Sequence, residues 1–131
     1  MHTAQMGISG IDAVRNKAVR PDLQRLLQQQ RQEYDSIAGE SRSAAQRFGW
    51  TLPKRNMLLD KMSTITAKCR LMAGDTDSTI AGMLIQGNTR GMIMGQKNLN
   101  KAEKLDPSVS AIADKLLNLE NINIQRSREF L

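Results

Sequence analysis

The sequence predicts an all-α protein, an antiparallel bundle of four to five helices, and three observations point there. Apolar residues recur at three- and four-residue steps along nearly the whole chain, and no stretch alternates as a half-buried strand would. Aromatic residues make up only 3% while methionine occurs eight times, so a core must be filled by Leu, Ile, Met and Ala, most of them good helix formers. Finally, Pro21, Gly49, Pro53, Gly74 and Pro107 fall between the periodic runs, where helix starts and stops belong.

The first helix is expected from about Thr3 to Ala18, with Ala4, Gly7, Ile8, Ile11, Val14 and Ala18 on one face. Arg20-Pro21 interrupts it, because proline disfavours helical geometry in the residue before it. Pro21 itself suits the first turn of the next helix, where its missing N–H costs nothing. That second helix runs from Pro21 to Phe48 with an inner stripe of Leu23, Leu27, Gln30, Tyr34, Ile37, Ser41, Ala44 and Phe48, widened by Leu26 and Ala45. Gly49 is placed to cap it in a left-handed conformation. Gln30, polar on an apolar stripe, marks a polar contact or an oligomer seam.

After the link Trp50-Thr51-Leu52-Pro53, a third helix over Lys54 to Ala73 carries Leu58, Met62, Ile65, Cys69 and Met72, and Gly74 ends it. Asp75, Thr76 or Asp77 can cap the fourth helix, since their side-chain oxygens accept from free backbone N–H groups. The fourth, near Thr76 to Ala102, is apolar on more than one side through Ile80, Met83, Leu84, Ile85, Met92, Ile93 and Met94. It is therefore expected to be the most buried. Asp106-Pro107 combines an N-cap with a proline at the first helical position. The last helix continues to about Phe130 through Val109, Ile112, Ala113, Leu116, Leu117, Leu119 and Ile124. The 131 residues fit one domain.

Two segments resemble each other. Gly7-Ile8 is followed eight residues after Ile8 by Asn16-Lys17-Ala18, and Gly91-Met92 at the same distance by Asn100-Lys101-Ala102; each unit then reaches a proline and a long helix. This suggests two similar hairpins. About 20 residues of helix rise roughly 30 Å, so the third helix is long enough to cross a bundle, as in the ferritin-like arrangement.

Composition narrows the function classes. Apolar residues are 40% and charged residues 24%, a globular balance. One cysteine leaves no internal disulfide and no Cys–Cys zinc motif. Met1 to Gly7 has neither a basic region nor a long apolar run, so no cleavable signal is expected. No stretch approaches about 18 apolar residues, so no membrane span is expected, and the cytoplasm is the simplest location. The net charge of +6 suits an anionic partner or simple solubility.

No catalytic, metal or cofactor site is expected. A di-metal site in a ferritin-like bundle needs several inward Glu and His ligands, but the sole histidine is His2. Of the five Glu residues, Glu33 and Glu120 fall mid-helix where ligands would lie, yet both are expected to face solvent or pair with Arg or Lys. Cys69 lies on an apolar stripe, where a free thiol behaves as a small hydrophobe.

Gly87, Gly91 and Gly95, at steps of four, are the sharpest local signal. A glycine inside a helix costs about 1 kcal/mol relative to alanine, so something offsets it. The ridge can pack inside the monomer, for instance against Gly7 and Gly10. It can also form a dimer contact with Met83 and Met94, or border a small apolar pocket. Basic residues group at Arg15, Lys17, Arg20 and Arg25, at Lys54, Arg55, Lys61, Lys68 and Arg70, and at Lys97, Lys101 and Lys104. Cations near helix C-termini complement the macrodipole, which explains much of the first and third groups without a partner. The second is the candidate patch for nucleic acid or an anionic surface, although stacking aromatics are few.

Gly7-Ile8-Ser9-Gly10-Ile11-Asp12, the run Asp77 to Ile93 and the final amphipathic helix resemble a group of small helical-bundle proteins of anaerobic gut-type bacteria. Ile80-Ala81-Gly82-Met83-Leu84-Ile85-Gln86-Gly87 is the most specific element. The resemblance implies a compact bundle and carries no activity. The expected function is therefore non-enzymatic, acting through protein contacts or self-association as a homo-oligomer such as a dimer. Binding of nucleic acid or an anionic surface is one alternative, and a small-ligand carrier with a pocket near Gly87–Gly95 is another.

Overall fold

A computed structural model of the chain describes residues 2–49 and 76–131. Helix α1 (His2–Val14) tightens into a 3₁₀ turn at Arg15–Lys17 and is followed by α2 (Pro21–Phe48), α3 (Thr76–Lys101) and α4 (Pro107–Ser127), which closes in a 3₁₀ turn at Arg128–Phe130. The described residues contain no strand. The helix expected at 54–73 lies outside them.

The punctuation acts as the residue chemistry requires. Arg20, held extended before Pro21 (ψ 130°), lets α2 start on its proline. Gly49 ends α2 at φ 68°, and its N–H reaches the Ala45 and Gln46 carbonyls. Asp106 caps α4 by accepting from the Ser108 N–H at 2.9 Å, with Pro107 at the first helical position. The first helix stops at Val14 rather than Ala18, because the chain tightens and then extends at Ala18 (ψ 129°).

Cross-helix contacts fix the directions. Gly7 faces the Tyr34 ring and Asp12 pairs with Arg31 at 2.7 Å, so α1 and α2 run antiparallel. Gly91 faces Glu120 and Gly95 faces Leu117, so α3 and α4 are antiparallel too. Lys115–Glu40 at 2.8 Å and Arg126–Glu33 at 3.3 Å join α4 to α2, also antiparallel. By contrast, α3 runs with α2. The Asp77 carboxylate accepts the N–H groups of Val19 (2.8 Å) and Arg20 (2.9 Å), and further along Tyr34 meets Asn88. The four helices therefore pack as a bundle around Ile11, Val14, Leu23, Leu27, Ile37, Ile80 and their neighbours.

Two expectations are corrected. The most buried element is α2, whose buried face runs from Leu23 to Ala45, not the fourth helix of the sequence. Ile93 (52% exposed) and Met94 (41%) stand in the open half of α3, because α1 has 13 residues against 26 in α3 and flanks only part of it. Phe48, the last residue of α2, is 40% exposed rather than internal.

Two glycines separate close approach from open space. A Cβ on Gly7 would lie 2.8 Å from Tyr34 ring atoms, whereas one on Gly87 would meet nothing within 4 Å. Gly7→Ala is expected to destabilise the fold by about 1–3 kcal/mol through overpacking. Gly87→Ala is expected to stabilise it by up to about 1 kcal/mol through helix propensity. Urea denaturation of the two variants distinguishes these opposite signs.

Candidate binding site

The inward stripe of α4 is polar. Glu120, Asn123 and Ser127, spaced three and four residues apart, are its buried residues, while Ile112, Leu116 and Leu119 are only partly buried. Across from them α2 contributes Gln30 and Tyr34, and α3 contributes Asn88, all buried.

Several of these groups satisfy one another. The Tyr34 hydroxyl donates to Asn88 Oδ1, and Asn88 Nδ2 donates to the Leu84 carbonyl at 2.7 Å. Ser127 Oγ donates to the Asn123 carbonyl at 2.7 Å. Others remain open. Gln30 has no exposed surface, and neither its Oε1 nor its Nε2 has a hydrogen-bond partner among the described residues. Glu120 Oε2 is likewise buried without one. Each such group costs about 1–3 kcal/mol when it stays unpaired in a protein interior, so their occurrence together calls for an occupant.

The space for one is present. A cavity of 230 Å³ is bordered by Met6, Ile11, Val14, Met83 and Leu84 on its apolar side and by Gln30, Tyr34, Asn88 and Glu120 on its polar side. Gly7 and Gly10 of α1 and Gly87 and Gly91 of α3 also line it; Tyr34 and Glu120 lie close over Gly7 and Gly91, while Gly87 leaves open space. Gln86, Arg90 and Met94, all exposed, form its rim.

Burial pushes the Glu120 carboxyl up to about 8, so at neutral pH it is an uncharged acid with one O–H donor and one carbonyl acceptor. Burial also raises the Tyr34 phenol, the nearby Glu120 carboxyl raises it further, and Asn123 beside it offsets part of this. The wall therefore presents neutral donors and acceptors at neutral pH. Among the described residues no group of three or more His, Cys, Asp or Glu side chains is placed to hold a metal ion.

The sequence-derived candidates divide between this site and elsewhere. Gly87 and Gly91 line the cavity, and Met83 and Met94 join them. Gly91 packs against Glu120 and Gly95 against Leu117, so the ridge has partners inside the monomer, but they belong to α4 and not to Gly7 and Gly10. Glu33 pairs with Arg126 as expected. Glu120 is 1% exposed and buried, which corrects the expectation of a solvated or paired side chain. Lys54, Arg55, Lys61, Lys68 and Arg70, and Cys69 with them, lie outside the described residues.

A signal for the missed residues was available. Leu116, Glu120, Asn123 and Ser127 continue one stripe in steps of four, three and four. The two similar segments also place the two central side chains alike. Tyr34 stands thirteen residues beyond Pro21 and Glu120 thirteen beyond Pro107, and each covers a glycine of these segments, Gly7 or Gly91.

Compared with protein-family models, curated proteins and solved structures, the chain matches none. Among the described residues no helix is long and apolar enough to cross a membrane.

Proposed function

We propose that the protein binds a small molecule in the cavity between its four described helices and does not transform it. The observation that carries this reading is Gln30, fully buried on the cavity wall with both amide atoms unpartnered among the described residues. Pockets for small molecules are mostly apolar with a few convergent polar groups, which is the composition of this wall. A cavity of about 150 Å³ holds benzene, so 230 Å³ suits a compact molecule somewhat larger than benzene. Binding rather than turnover is supported by the hydroxyls of Tyr34 and Ser127, both already committed as donors.

Benzamide is a suitable probe because its ring and head match the size and mixed polarity of the wall. A ligand that binds only the folded state stabilises it by about 2.7 kcal/mol at a hundred times its Kd. Thermal unfolding of the full chain is expected to shift upward by several degrees in millimolar benzamide, and the shift is expected to grow with concentration. No shift at any concentration with benzamide, nor with acetophenone, benzoate or benzylamine in its place, would reject the reading.

The helix directions favour the ferritin-like order of two hairpins. Since α2 and α3 run the same way, the end of α2 and the start of α3 lie at opposite ends of the bundle, as a crossover connection requires. Self-association is a second reading, favoured by the adjacent exposed side chains Ile93 and Met94 on α3. Light scattering tests it, and a strict monomer at all micromolar concentrations would end it.

A further inference from the structure

We infer that the cavity selects a neutral head that carries a hydrogen-bond donor and acceptor on one edge, a primary carboxamide or a lactam, on a small apolar body. This inference rests on the cavity being a binding site. Its basis is the pairing that Gln30 leaves open. An amide edge can give its N–H to Gln30 Oε1 and take Gln30 Nε2–H on its carbonyl, satisfying both unpartnered atoms with one group. A ketone satisfies only the donor, and an ammonium only the acceptor.

Charge points the same way. Among the described residues Arg90 is the one basic side chain lining the cavity, and it is exposed at the rim. A carboxylate placed beside Gln30 would lie next to the Glu120 carboxyl without a buried cation to offset its desolvation. An ammonium would need Glu120 ionised, and so would bury an ion pair whose desolvation consumes most of its attraction. A neutral edge avoids both costs. Met6, Ile11, Val14, Met83 and Leu84 receive the apolar body.

The test uses four probes built on the same ring (benzamide, acetophenone, benzoate and benzylamine) titrated into the full chain at neutral pH by calorimetry. Benzamide is expected to bind about tenfold or more tighter than each of the others, one such factor being what a single well-made polar contact supplies. Gln30→Leu removes the amide while keeping similar bulk, and it leaves no other described group unpaired. It is expected to weaken both probes, benzamide more steeply because it loses two contacts and acetophenone one, so that the two bind the variant within about threefold of each other. Benzamide no tighter than acetophenone, or tightest binding by benzoate or benzylamine, would overturn the amide selectivity while leaving the binding site standing. Failure of all four probes would remove the binding site itself. If Gln30→Leu kept full benzamide affinity, the assignment to Gln30 would be wrong.

Discussion

Replacing Asp77 by alanine is expected to cost about 3 kcal/mol of stability, because each of the two N–H groups it leaves behind carries about 1–3 kcal/mol when unpaired. Asp77, 6% exposed, accepts both the Val19 and Arg20 N–H groups in the extended link that precedes α2. Its charge also lies in the first turn of α3, where the helix macrodipole favours an anion. The same corner is tied from the other side, with the Arg20 guanidinium 4.7 Å from the centre of the Phe130 ring. Asp77 therefore fastens the α1–α2 pair to the α3–α4 pair. Asp77→Asn keeps one carbonyl acceptor and is expected to lose about half as much. Urea denaturation measures both variants. A loss below about 0.5 kcal/mol for Asp77→Ala, the size of an ordinary surface change, would show that the two pairs are held together by other contacts.

Raising the pH is expected to weaken the fold through Glu120. Its carboxyl ordinarily titrates near 4.5 and is pushed up to about 8 by burial, so between those values the folded chain retains a proton that the unfolded chain has shed. Stability is then full below about pH 4.5, declines as the pH rises, and has lost the whole contribution once the pH has passed about 8. Each tenfold difference in proton affinity between the folded and unfolded chain corresponds to about 1.4 kcal/mol. Relaxation of the surroundings around the buried charge offsets part of this, so the net loss is on the order of 2 kcal/mol. Glu120→Gln keeps the shape and a donor–acceptor pair but cannot ionise. It is expected to flatten the decline and to be the more stable protein at pH 9. Parallel pH profiles of Tm for the two proteins check this, and equal slopes would mean that the carboxyl is solvated.

The elements were legible wherever local chemistry decides them. Pro21, Gly49 and Asp106-Pro107 act on the backbone within one or two residues, and the helices start and stop there. The apolar face of α2 from Leu23 to Ile37 was equally plain from its spacing. What the spacing did not reveal was the direction of the polar residues. Glu120, Asn123 and Ser127 look like a solvated face if polarity alone is read, and only their register with Leu116 turns them inward. Gln30 showed itself as a polar residue on an apolar stripe, but its open amide depends on what faces it from the other helices. The glycines were recognised as a ridge. What covers them, the Tyr34 side chain over Gly7 and the Glu120 side chain over Gly91, is set by relations between distant segments.

The most direct measurement is a carbon-13 methyl spectrum of the methionines during titration with benzamide. Met6, Met83 and Met94 border the cavity, whereas Met92 does not. Saturable shifts of the first three with one common Kd, and an unmoved Met92 signal, are the predicted result. A Met92 signal that moves while Met6 and Met83 stay fixed would place the ligand on the outer surface of α3 and contradict an interior site.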